Sequence, residues 1–231
     1  MIDRTLRGRL VYRHEGGPER GRESFTITRH GDGTKTLRAL CEIDADEVLR
    51  DVTYSVDAQH RPLDAFVRLT VHERFFGSGW FVFGEHAATC EAYTALEGRI
   101  SQRVELRRRP TAFGTHPISA DAWLTAAFEP TGPRRQFFDD AYVSSYAFNG
   151  VGALALYPIH FGLEYLGETE VTVPAGTFGC RHFRFLLDDS EVAGHPDYEL
   201  FTTTDGLHVC VRAWVGAPKR YVYELAQVER N

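Results

Sequence analysis

The run Glu170-Val-Thr-Val-Pro-Ala-Gly-Thr-Phe-Gly-Cys-Arg-His-Phe-Arg-Phe185, followed by Leu207 to Val215 and Tyr221 to Val228, decides the fold. β-Branched and aromatic residues alternate there with polar ones, and Pro174-Ala-Gly176, Asp205-Gly206 and Gly216-Ala-Pro218 interrupt the alternation. A two-residue period puts successive side chains on opposite faces of a sheet, and the interruptions are turn chemistry. The pattern predicts three strands joined by turns in an antiparallel meander.

Working outward, the first half carries the same signal. Gly8 to His14, Ser24 to His30, Thr36 to Ile43, Val48 to Val56, Ala65 to Arg74, Gly79 to Phe83, Cys90 to Leu96 and Ile100 to Leu106 read as strands. Glu15-Gly-Gly-Pro18, Gly31-Asp-Gly33, Asp57 to Pro62, Gly77-Ser-Gly79 and Glu97-Gly98 separate them at hairpin-like spacing. Between Pro110 and Leu166 the period changes. Ser119 can cap a short helix reaching Phe128, and Phe138, Tyr142 and Tyr146 recur at four-residue spacing in a second helical candidate from about Asp139 to Phe148, stopped by Asn149-Gly150. The fold class expected is mostly β: one antiparallel barrel or half-barrel, a lipocalin-like or LolA-like calyx, with one or two short helices inserted at about 119–148. Residues 1–231 are expected to form a single domain, since no linker or repeat divides them.

The segment Val171-Thr-Val-Pro-Ala-Gly-Thr-Phe178, with the basic-aromatic strand after it and Tyr198 to Val215, resembles the C-terminal signature of a group of uncharacterised bacterial β half-barrel proteins. These are similar in outline to LolA/LppX-like lipoprotein and lipid carriers. The resemblance implies a curled half-barrel and speaks for fold more than for chemistry.

Sixteen Phe, ten Tyr and three Trp against one Met point to a sheet interior filled by rigid rings. The net charge of −6 offers no basic field for a nucleic-acid backbone, so nucleic acid is excluded as an expected partner. The cluster Arg103, Arg107, Arg108 and Arg109 reads as edge-protecting charge or as an anion site. No segment is long and apolar enough for a membrane-spanning helix, and the N-terminus lacks an apolar leader, so the chain is expected to be cytoplasmic. Cys41, Cys90, Cys180 and Cys210 have no metal-type spacing and read as reduced, buried small hydrophobes, with Cys180 and Cys210 as candidate cross-strand neighbours. No nucleotide, metal or hydrolase motif is present, and no cofactor is expected.

Candidate chemistry sits on a few positions. His116, where the chain enters the first helix, suits a general base, with Asp121 to orient its ring; the alternative is a turn histidine beside a carboxyl that answers the helix dipole. His160 lies in the most apolar segment, as a buried neutral ring or as a base in a cavity. Arg68 and His72 share the polar face of one strand, and Arg50 and Asp51 are mid-strand neighbours that must point opposite ways. With Trp80, Trp123, Tyr142 and Tyr146, Arg68 and His72 form the expected ligand-binding set. The function expected is binding of a small apolar or aromatic molecule inside the barrel, with cofactor-independent lyase, isomerase or hydratase chemistry as its extension. A carrier or sensor of a hydrophobic ligand, and a dimerising interaction domain, are the rivals.

Overall fold

A computed structural model describes residues 4–147, 149–187, 197–216 and 220–230. The first half of the chain runs through β1 (Arg4–His14), β2 (Glu19–Arg29), β3 (Lys35–Ile43), β4 (Val48–Val56), β5 (Pro62–Val71), β6 (Arg74–Phe83), β7 (Ala87–Thr94) and β8 (Gly98–Glu105). The second half holds β9 (Ala112–Gly114), α1 (Ile118–Leu124), β10 (Arg135–Val143), β11 (Tyr157–Val173), β12 (Gly176–Leu187), β13 (Tyr198–Thr203), β14 (Cys210–Val215) and β15 (Tyr221–Arg230).

All fifteen strands form one open sheet in the order β8 back to β1, then β15 back to β9. The first and last strands therefore pair with each other in the middle of the sheet, with Gly8 opposite Val228 and Tyr12 opposite Tyr223. Neighbours are antiparallel except β9 and β10, which run parallel. So many twisted strands cannot stay flat, and the sheet curls until its ends meet its own concave face. Phe113 of the edge strand β9 packs its ring 4.9 Å from Phe81 and 4.8 Å from Phe83 of β6. On the other edge, the Gln102 side chain of β8 accepts a 2.7 Å bond from the Leu156 backbone N–H.

Period-two alternation sets the inner face. In β4, Val48, Arg50, Val52, Tyr54 and Val56 are buried while Leu49 and Asp51 are exposed, which gives Arg50 to the interior and Asp51 to solvent. The anticipated hairpin at Pro174-Ala175 joins β11 to β12, with Val173 opposite Gly176 at φ 131°, a conformation suited to glycine. Of the last turn, Ala217 and Pro218 lie outside the described residues. All four cysteines are free and buried; Cys180 sits opposite Thr203 and Cys210 opposite Thr202, one strand apart. The arginine cluster guards the sheet's edge: Arg103 bonds Glu105, Arg108 bonds Asp140, and Arg109 pairs with Glu85 at 2.9 Å. Among the described residues no helix is long and apolar enough to cross a membrane.

Three expectations are corrected. Ala65 to Arg74 is not one strand, because His72 and Glu73, at φ 50° and 60°, make a tight turn between β5 and β6 without a glycine to announce it, while Gly77-Ser-Gly79, expected as the turn, lies inside β6. The second helix does not form: residues 135–143 are β10, where a four-residue spacing is also two strand periods, and a bulge between Phe138 and Ala141 turns Tyr142 to the face opposite Phe138. The end of that candidate, Phe148, lies outside the described residues. The helix that does form begins after Pro117, and Ser119 does not cap it; the Ser119 hydroxyl has no hydrogen-bond partner.

A seven-residue helix cannot sustain itself in water, so its ends must be held by the sheet. Glu23, fully buried on β2, accepts the N–H of Ile118 at 2.9 Å and that of Ser119 at 3.1 Å, and the Tyr12 hydroxyl donates to it at 2.5 Å. Across the concave face Tyr198 of β13 donates to Asp121 at 3.1 Å, and the Trp123 indole N–H donates to the Leu207 carbonyl at 3.0 Å. The helix is thus strung between β2 and the C-terminal half of the sheet. Glu23→Ala leaves three donors unpaired in a dry interior, at about 1–3 kcal/mol each. Urea denaturation should show a loss of about 3 kcal/mol or more, with Glu23→Gln costing less; a loss under about 1 kcal/mol would mean the helix is held by something else.

Candidate functional site

The helix does not fill the concave face. Beside it lies a cavity of about 390 Å³, in the range of small-molecule sites. One wall is apolar, built from Ile159 and Phe161 of β11, Phe185 and Leu187 of β12, Val215 of β14 and Leu124 of α1. Phe161 stacks on Phe138 at 5.0 Å, and Phe185 on Tyr198 at 4.8 Å, so this wall is made of rings held by other rings. The other wall is polar: Tyr12, Arg50, Asp121, Tyr198 and Tyr223. Asp46, Tyr146 and Tyr221 stand exposed at the rim, and the half-buried Arg13 and Arg20 line the cavity as well.

A strap between β10 and β11 crosses this space. The Arg50 guanidinium donates to the Asn149 carbonyl, and His116 Nε2 lies 3.1 Å from the Ser145 carbonyl. The Tyr146 hydroxyl donates to the Pro158 carbonyl at 2.7 Å. Gly150, at φ 69°, lies against both anchors: a methyl group there would run into the Arg50 guanidinium and come within 2.7 Å of His116 Cγ. His116 itself holds φ 75°, which few non-glycine residues adopt, so its ring is fixed by the local chain path.

The electrostatics are unequal. In register, Glu23, Cys41 and Arg50 stand side by side on β2, β3 and β4. Glu23 is answered by the three donors above. Arg50 is 3% exposed, and its Nε has no hydrogen-bond partner. Burial lifts the Asp121 carboxyl to about 7, opposed by the Tyr198 hydrogen bond, reinforced by Glu23 and opposed again by Arg50. The accessible surface that Asp121 retains belongs to the cavity it lines. Burial also pushes the Tyr12, Tyr198 and Tyr223 hydroxyls above their ordinary range, so they act as neutral hydrogen-bonding groups. Among the described residues no cluster of three or more His, Cys, Asp or Glu could hold a metal ion.

The cavity brings together four of the residues singled out from sequence: Arg50, His116, Asp121 and Tyr146. Asp121 spends its hydrogen bond on Tyr198 and does not orient His116. Trp123 is 2% exposed and packs on Tyr54 and His60 behind the helix, where it holds the fold. Tyr142 is half-buried beside the edge strand and points away from the cavity, as its neighbour Val143 points in.

Arg68, His72, Trp80 and His160 are all on the outside. Arg68 lies over the exposed ring of Phe75, His72 pairs with Glu47 in its turn, and Trp80 is 58% exposed. His160 sits between two inward residues, Ile159 and Phe161, so alternation turns it to solvent beside Asp139. Glu23, Tyr198 and Tyr223 were missed. A glutamate in phase with the apolar Phe25 and Ile27 was the signal for Glu23; nothing in the sequence marks the two tyrosines. The rings of His60, buried, and His208, half-buried, lie 5.0 Å apart, pushed down to about 3 and about 4 by desolvation, and belong to the packing behind the helix.

No protein-family model matches this chain, and no curated protein matches it. Among solved structures it is similar to a β-barrel-like protein of domain of unknown function DUF1849 from Brucella abortus, at 10% identity and TM-score 0.55, over 100% of this chain and 98% of that one. A DUF1089 family protein from Pseudomonas aeruginosa matches 82% of this chain and 87% of its own at 7% identity and TM-score 0.46. At such identity the first likeness shows the fold, a β-barrel-like sheet, and the chemistry has to be argued from the cavity.

Proposed function

We propose that this chain binds a small apolar or aromatic molecule inside its curled sheet. The observation that carries the reading is the cavity of about 390 Å³, walled by stacked aromatic and aliphatic side chains and closed on one side by a strap tied to Arg50 and His116. Burying an apolar ligand there releases about 25 cal/mol per Å² of its surface, which is the main driving force available to such a site. A proton-transfer reaction on the bound molecule, of lyase, isomerase or hydratase type, is the extension one observation favours: Asp121, held near neutrality, stands in the cavity with Tyr198 bonded to it.

Binding is tested with the uncharged fluorophore N-phenyl-1-naphthylamine. Enhancement saturating at one site per chain is expected, together with at least a tenfold weakening in Val143→Trp, which fills the cavity from β10. No enhancement with the wild-type chain, and a bare native mass after incubation with the dye, would end the reading. Recovery of a natural ligand unchanged, with no dependence on Asp121, would assign a carrier rather than an enzyme.

The pH dependence of stability checks the state of Asp121. Its folded pKa of about 7 lies above the ~3.9 of an unfolded aspartate, so between these values the folded chain binds a proton that the unfolded chain releases. This contribution is therefore fully present below about pH 4, is lost as pH rises toward 7, and changes no further above it. Relative to Asp121→Asn, whose amide oxygen can still accept from Tyr198, the wild type should lose about 1.4 kcal/mol for each pH unit across that window. Parallel profiles in urea denaturation would show Asp121 to be ionised throughout.

A further inference from the structure

The charges around the cavity do not balance within the chain. A buried cation is costly unless an anion and hydrogen bonds answer it. Glu23, two strands away, has both oxygens engaged by Tyr12 and by the first N–H groups of α1. Asp121 accepts its hydrogen bond from Tyr198 and makes no ion pair with Arg50. What Arg50 has is one neutral acceptor, the Asn149 carbonyl, and a buried Nε with no partner. Among the described residues no carboxyl group lies within ion-pair distance of it. A guanidinium presents its donors as a planar fork that matches the two oxygens of a carboxylate, and here that fork stands in a cavity whose facing wall is apolar.

We infer that the polar wall is a carboxylate-recognition subsite, in which Arg50 takes the acid group of an amphipathic ligand while its apolar or aromatic body lies against Ile159, Phe161, Phe185 and Leu187. This deepens the binding proposal and rests on it. Arg13 and Arg20 also line the cavity, half-buried, Arg13 paired with Glu224 at 3.6 Å and Arg20 set against His14 and the Tyr221 ring. Arg50 is thus the fully buried guanidinium without a carboxylate, and its planar fork flanked by tyrosine hydroxyls suits a planar monoanion. The carboxylate adds the acceptors that Arg50 lacks and supplies its missing counter-charge.

The experiment compares 4-phenylbutanoate with 4-phenylbutan-1-ol, which share a body and differ in the head group, each measured by displacement of N-phenyl-1-naphthylamine. In the wild type the acid should bind at least tenfold more tightly than the alcohol. In Arg50→Met the two should bind within about twofold of each other, and Arg50→Lys, which keeps the charge but not the fork, should fall between. Equal binding of acid and alcohol to the wild type overturns the subsite and leaves the cavity reading standing. Failure of the dye and of both ligands to bind overturns the cavity reading, and the subsite with it. Should Arg50→Met fail to fold, the wild-type ratio and Arg50→Lys still decide: an acid preference untouched in Arg50→Lys would move recognition away from the guanidinium fork.

Discussion

One buried carboxyl group holds the interior of this protein together. Glu23 sits on a strand face otherwise given to Phe25 and Ile27, and its oxygens take the opening N–H groups of the helix together with the Tyr12 hydroxyl. Without that attachment a two-turn helix would have no reason to stand inside a β sheet. With it, Asp121 is carried to Tyr198, Trp123 to the packing around Tyr54, and the space left beside the helix becomes the cavity.

The same attachment decides the chemistry of that space. The first N–H groups of the helix and the tyrosine hydroxyl occupy the oxygens of Glu23, so it forms no ion pair with Arg50 on the next strand but one. Asp121, lifted to about 7 by burial and bonded to Tyr198, makes no ion pair with Arg50 either. The result is a polar wall with a cation on one side and a weak acid on the other, facing an apolar wall of stacked rings. Such an arrangement selects a molecule with a head and a body, and both proposals follow from it.

The convex face has a different physics. Trp80, Tyr93 and Phe66 stand exposed there among arginines and glutamates, and the Arg68 guanidinium covers Phe75. Charged side chains line the edge at β8 and the link that follows it, blunting the row of unpaired backbone groups that an open sheet leaves there. Residues adjacent in sequence thus serve opposite environments: Arg50 the cavity and Asp51 solvent, Phe161 the cavity and His160 solvent.

Local pattern by itself determined most strands of the first half, most of their turns, the short helix after Pro117 and the hairpin at Pro174-Ala175, because a two-residue period and turn residues act through near neighbours, but it did not mark β9, β10 or β13. It failed where the local signal was ambiguous: at His72-Glu73, whose turn has no glycine, and in β10, where aromatic residues four apart fit a helix as well as a strand. Which face of each strand points inward was beyond it, since alternation names two faces without choosing one, and so Arg68, His72, Trp80 and His160 were read as site residues while Glu23 was passed over. Only the curling of the sheet brought β2, β4, α1 and β13 around one space. The pairing of Glu23 with the helix, the buried guanidinium of Arg50 without a carboxylate and the raised pKa of Asp121 all arise from that long-range closure, because desolvation and Coulomb attraction depend on distance in space and not on position in the chain.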